Sequence, residues 1–97
     1  MEKIHILVVD DHTLFRRGLI ALLSQAEDFE VIGEAGDAIE AIRLCKTLKP
    51  DVILLDNHLP GASGIQSLPD IFHASPESTV MMLTVSEDEG DLIQALQ

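Results

Sequence analysis

Residues 4–11 read Ile4-His5-Ile6-Leu7-Val8-Val9-Asp10-Asp11, a nearly unbroken apolar run that stops at two carboxylates. A run this short and continuous predicts a strand buried on both faces, as in a parallel sheet, and not a strand with one wet face. The design recurs twice. Val52-Ile53-Leu54-Leu55 ends at Asp56, and a fourth strand from Thr79, with Val80-Met81-Met82-Leu83 at its centre, ends at Thr84. Phe29-Glu30-Val31-Ile32-Gly33-Glu34-Ala35 alternates only in part, which suits a strand at the edge of the sheet.

The intervening segments carry helical spacing. Leu14-Phe15, Gly18-Leu19 and Leu22-Leu23 form one stripe. Ala38, Ala41, Ile42, Cys45 and Leu48 form a second, closed by Lys49-Pro50. Ile65, Leu68, Ile71 and Phe72 form a third, interrupted by Pro69. Proline inside a helix removes a hydrogen bond and crowds the preceding turn, so this segment is expected to kink or to start late. Asp91-Leu92-Ile93-Gln94-Ala95-Leu96 opens a fourth helix. The order β-α-β-α-β-α-β-α predicts an α/β domain with a parallel sheet between two helical layers.

A chain of 97 residues makes one small domain, and an apolar fraction of 46% is that of an ordinary globular protein. No apolar run reaches the roughly 20 residues that span a bilayer. The first residues lack the sections of a signal peptide. The single cysteine, Cys45, fits an apolar stripe and has no internal disulfide partner, so a cytoplasmic protein is expected. The net charge is −11, and all six Lys and Arg residues lie at or before Lys49. Such a surface repels phosphate backbones, so this segment is not expected to bind DNA by itself.

In an open parallel sheet, ligands bind beyond the carboxyl ends of the strands. Asp10, Asp11, Asp56 and Thr84 all fall at such ends. If the first, third and fourth strands are neighbours, three carboxylates and a hydroxyl share one pocket. Crowded carboxylates repel one another and call for a cation. Mg²⁺ takes oxygen ligands and is typically held by one or two carboxylates with phosphate oxygens. One aspartate then remains to act as a nucleophile toward phosphorus. Taken singly, each residue has a plainer role. Asp10 and Asp11 could cap the following helix, and Asp56 could belong to an ordinary turn.

Taken together, Val8-Val9-Asp10-Asp11, Leu54-Leu55-Asp56 with Leu59-Pro60-Gly61 and Gly64, and Leu83-Thr84 resemble the receiver domain of two-component response regulators. The resemblance covers Ile4 to the end of the chain. Asp10-Asp11-His12, Leu14, Arg16, Gly18-Leu19 and Val31-Ile32-Gly33-Glu34-Ala35 are similar to the NarL/LuxR type, whose members usually carry a C-terminal helix-turn-helix. The resemblance implies a flavodoxin-like α/β/α fold with strand order 2-1-3-4. It implies Asp56 as phosphoacceptor, Asp11 and Asp56 as Mg²⁺ ligands, and Asp10 as a partner acting through water. It implies the backbone carbonyl of His58 as a further metal ligand and Thr84 as the switch hydroxyl. A sensor histidine kinase would be the phosphodonor. DNA would be bound only through a further domain, with no membrane role.

Receivers continue into a fifth strand carrying a lysine, then a fifth helix. No lysine follows Lys49, so residues 1–97 are expected to be a C-terminally incomplete receiver domain. The fourth strand would then be an apolar edge, and homodimerisation or wider self-association is expected. Ser63 replaces the more usual Asp or Asn before Gly64, and Asn57 and His58 are both polar. Two other readings compete with the receiver. One is an interaction module that keeps the fold without phosphorylation. The other is an Asp-nucleophile phosphatase, whose second aspartate is replaced here by His58. Arg16 and Arg17 are expected on a solvated helix face, His5 on a strand and His73 near a helix end.

Overall fold

The computed structural model describes residues 2–59 and 64–83. The element order is β1 (Ile4–Val9), α1 (Thr13–Leu23), β2 (Phe29–Ala35), α2 (Ala38–Leu48), β3 (Val52–Asp56), α3 (Gly64–Ala74) and β4 (Thr79–Leu83). The sheet is parallel throughout, in the order β2-β1-β3-β4. β2 therefore lies at an edge, as its partial alternation predicts. The fourth helix expected from Asp91 lies outside the described residues, as does Thr84.

Alternate residues of the central strands feed two cores, because side chains on a strand point to opposite faces. Leu7, Val9, Ile53 and Leu55 pack with α2 and α3 through Ala41, Cys45 and Ile71. Ile6, Val8 and Leu54 face the other way, with Leu19, Ile20 and Leu23 of α1 against them. The three layers of the expected α/β/α fold are thus present. Cys45 is fully buried, and burial pushes its thiol pKa up to about 11, which suits a packed side chain and not a reactive one.

Two helical expectations need correction. In α1 the inward-facing stripe is the partly buried Leu19, Ile20 and Leu23, while Leu14 is 88% exposed and Leu22 is 64% exposed. Adjacent apolar pairs left the facing direction open, and contact with β1 and β2 settled it. In α3 the late start is excluded, because the helix begins at Gly64, ahead of Pro69, and runs on to Ala74. Pro69 lacks the amide that would bond the Ile65 carbonyl, and Ile65 is exposed, so water can serve that carbonyl instead.

α2 has explicit ends. The Asp37 carboxylate accepts from the Glu40 amide at 2.8 Å and caps the N-terminus. Lys49 ends the helix in the left-handed region, with φ 49°. Pro50 disfavours the α region for the residue before it, which helps enforce that exit. The Lys49 ammonium then donates to the Ala74 carbonyl at 2.9 Å, tying the end of α2 to the end of α3.

Candidate metal centre at the carboxyl ends of the strands

β1 and β3 are hydrogen-bonded neighbours, with Val9 opposite Leu55, so Asp10 and Asp56 emerge side by side. Both are buried, at 0% and 1% exposure. Each uses one oxygen in the same way. Asp10 Oδ1 accepts from the His12 amide at 2.7 Å, and Asp56 Oδ1 accepts from the His58 amide at 3.1 Å. These are Asx-turn bonds to the backbone two residues on. The other oxygen of each carboxylate is left without a partner. Asp10 Oδ2 and Asp56 Oδ2 are the buried side-chain polar atoms with no hydrogen bond among the described residues.

The plainer roles are therefore insufficient. The residue at the N-cap of α1 is His12, without a side-chain cap bond, so neither Asp10 nor Asp11 holds that position. Turn formation explains one oxygen of Asp56 and leaves the other, buried beside Asp10, unexplained. Burying an ionised oxygen without a partner is strongly unfavourable. Burial raises the Asp56 carboxyl above its ordinary value, the His58 amide opposes this, and the Asp10 charge adds to it. Such a pocket fits a divalent cation: it is rich in hard oxygen donors and has two of them unspent.

Asp11 and His12 complete the cluster at its exposed side. His12 Nδ1 lies 3.2 Å from Asp10 Oδ1, 3.2 Å from Asp11 Oδ1 and 3.9 Å from Asp56 Oδ2. The bond to Asp10 and the charge of Asp11 raise the His12 pKa above its ordinary value. Sequence reasoning used His12 only as part of a family signature and missed its ring as a member of the pocket. The signal available was its position directly after the acidic pair.

The loop between β1 and α1 is braced from below. Arg16 donates from Nη1 to the Asp10 carbonyl at 2.5 Å and from Nε to Glu34 Oε1 at 2.7 Å. Its side chain is only 13% exposed, so Arg16 is not the solvated residue expected from sequence. Arg17 is, at 67% exposed, although it also reaches Glu34 at 3.3 Å. The Arg16 bond holds the Glu34 carboxyl below its usual range. Across the pocket, Asn57 accepts the Ile65 amide on its side chain and the Gly64 amide on its carbonyl, which seats α3 against the end of β3. A Cβ at Gly64 would stand 2.6 Å from the Asp56 carbonyl oxygen, so glycine is required for that approach.

His58 follows Asp56 with an exposed side chain and contributes its amide to the carboxylate. Thr84 directly follows Leu83, which stands opposite Asp56 in the β3–β4 ladder. His5 is on β1 and half exposed, and His73 is in the last turn of α3.

This parallel sheet order between two helical layers is that of a flavodoxin-like α/β domain. The family model for the response regulator receiver domain matches residues 6–97. The nitrate/nitrite response regulator NarL of Escherichia coli is 38% identical over 96 residues, covering 99% of this chain and 44% of that protein. The receiver domain of a putative NarL response regulator from Mycobacterium tuberculosis superposes with a TM-score of 0.82 at 35% identity, covering 98% of this chain and 77% of that one. RcsB from Salmonella enterica serovar Typhimurium, solved bound to a promoter in the presence of the phosphomimetic BeF3−, superposes at 0.79 with 26% identity, covering 88% of this chain and 43% of that one. The chain belongs to the response regulator receiver family, and its relatives place it with the NarL/LuxR type. It is a signalling domain and not a conventional turnover enzyme. It spans less than half the length of the curated relatives it matches. No described helix is long and apolar enough to cross a membrane.

Proposed function

We propose that Asp56 accepts a phosphoryl group from the phosphohistidine of a sensor kinase, with Mg²⁺ held at the same pocket. The observation that carries this is the pair of buried, unpartnered oxygens, Asp10 Oδ2 and Asp56 Oδ2, beside one another at the ends of β1 and β3. Asp10, Asp11, Asp56 and the His58 carbonyl would hold the ion. When bound, Mg²⁺ would offset charge on the phosphoryl oxygens and on the carboxylates.

The chain's own residues do the rest. The His58 amide fixes one oxygen of Asp56 and so the plane of the carboxylate. An oxygen of Asp56 forms a bond to phosphorus as the phosphorus–nitrogen bond of the phosphoimidazole breaks. The departing imidazole nitrogen takes a proton from solvent. Arg16, pulling on the Asp10 carbonyl, keeps the acidic pair from swinging out of the pocket under its own repulsion. Thr84 is assigned the hydroxyl that bonds a phosphoryl oxygen and moves with it, biasing a two-state equilibrium that includes β4.

The output belongs to a helix-turn-helix domain beyond this sequence, which would supply the DNA contacts. A purely structural interaction module would have no use for two unsatisfied buried carboxylate oxygens, so the phosphorylation-independent reading is not favoured. The Asp-nucleophile phosphatase reading is weaker still, since His58 reaches Asp56 through its amide and carries no second carboxylate there.

Incubation with acetyl phosphate and Mg²⁺, followed by intact-mass measurement, tests the assignment. One phosphoryl adduct is expected on wild-type protein and on T84A, and none on D56A. An adduct surviving in D56A would sink it.

A further inference from the structure

One nitrogen in the pocket has no part in the function just proposed: His12 Nδ1, whose hydrogen bond to Asp10 Oδ1 a metal ion would replace. Asp10, Asp11, His12 and Asp56 each offer one ligand atom, and these atoms lie within 4.8 Å of one another. From His12 Nδ1 the carboxylate oxygens stand at 3.2, 3.2 and 3.9 Å. Bonds of about 2.1 Å to a metal place neighbouring donors roughly 3.0 Å apart in an octahedral sphere and roughly 3.4 Å apart in a tetrahedral one. The separations from the imidazole nitrogen to Asp10 Oδ1 and Asp11 Oδ1 already lie between these values, and the one to Asp56 Oδ2 must close by about half an ångström. The buried ends of the cluster are fixed, while Asp11 and His12 are exposed enough to adjust by a few tenths of an ångström.

The cluster does not rest on acidity alone. Asp10 Oδ2 and Asp56 Oδ2 are buried and unpartnered on residues that are 0% and 1% exposed, so the pocket has donors waiting for a cation. Mg²⁺ is a hard ion that takes oxygen and gains little from imidazole. Zinc, nickel and their neighbours gain a great deal. We infer that His12 is a nitrogen ligand through which this pocket also takes a borderline divalent transition ion, of the Ni²⁺ and Zn²⁺ class, together with Asp10, Asp11 and Asp56. The inference rests on the pocket being a divalent-cation site and extends it to metal choice. The ion competes with Mg²⁺ for the same oxygens, so its binding and Mg²⁺ binding exclude each other.

Calorimetric titration of the metal-free chain at pH 8 with Mg²⁺, and separately with Ni²⁺, tests this. The proteins are wild type, H12Q and H73Q. H12Q is expected to weaken Ni²⁺ binding by about tenfold or more and to leave Mg²⁺ within about twofold. H73Q, which removes an imidazole in the last turn of α3, is expected to change neither. Equal effects of H12Q on both ions, no effect on either, or loss of Ni²⁺ affinity in H73Q would each overturn the inference. In those cases Mg²⁺ binding by wild type leaves the cation site itself standing. A wild-type protein that binds neither ion overturns both. A measurement on wild type alone guards against misfolding of H12Q: Co²⁺ must shift the His12 ring resonances far more than those of His58, and equal shifts count against ligation.

Discussion

The two ends of the same three strands, β1, β3 and β4, are built to opposite rules. At the amino ends no buried side-chain polar atom among the described residues lacks a partner. The Asp51 carboxylate accepts the His5 amide at 2.8 Å, and the Thr79 amide donates to the Asp51 carbonyl at 2.9 Å. Buried Ser75 and Ser78 bond each other at 2.5 Å, and Ser78 donates to the Pro50 carbonyl. Lys49 closes the set on the Ala74 carbonyl. At the carboxyl ends, Asp10 and Asp56 are more deeply buried than Ser78 and yet each leaves an oxygen unpaired. A satisfied polar network holds a fold together, while an unsatisfied one inside a stable fold is held there for a ligand.

Four experiments break or sharpen this contrast. The largest effect is expected from D56N, which should abolish the acetyl phosphate adduct entirely. It should also raise the unfolding free energy read from urea melts, by an amount on the order of 1 kcal/mol, because a buried charge with one unpartnered oxygen is removed. A lower midpoint would mean that Asp56 serves the fold. Next, saturating Mg²⁺ should stabilise the wild type by about 2.7 kcal/mol at a hundredfold excess over its Kd, and D10N should shrink that gain. Denaturant melts with and without the ion check this.

At the other end, S78A strands the Pro50 carbonyl and the Ser75 hydroxyl. It should lose about 1–3 kcal/mol while leaving Mg²⁺ affinity within about twofold. A large change in affinity would show that the two ends are coupled. The smallest effect concerns Glu34. Its carboxyl is held low by Arg16, so its contribution is present above the ordinary glutamate value. That contribution is lost as pH falls through the lower folded value. Because Glu34 is about a third exposed, the acid-side loss should stay below roughly 1 kcal/mol. It should vanish in E34Q, as measured by urea melts across pH 3 to 5.

Much of this was legible in the chain. Continuous apolar runs ending in polar residues marked β1, β3 and β4, and the stripe from Ala38 to Leu48 marked α2. Where two apolar residues stood together, as in Leu14-Phe15 and Leu22-Leu23, periodicity could not say which one faced inward. Pro69 suggested a late start because the rule against proline in a helix is local, while α3 is held from Gly64 onward by burial of Ile71 and Ala74 against the sheet. Arg16 was misjudged because its partners, Glu34 and the Asp10 carbonyl, lie in other elements.

The sequence by itself determined the layer order, the family, and the residue types that reach the carboxyl ends of the strands. Those follow from short-range periodicity and from spacing along the chain. Only the tertiary structure decided which oxygens are spent and which are free. Asp10, Asp51 and Asp56 are the same residue type, each at a strand end. Asp51 accepts an amide from a neighbouring strand and is exposed, so water reaches its other oxygen, while Asp10 and Asp56 are buried beside each other across β1 and β3 with one oxygen apiece left over. That difference depends on strand pairing and burial, which no local pattern encodes.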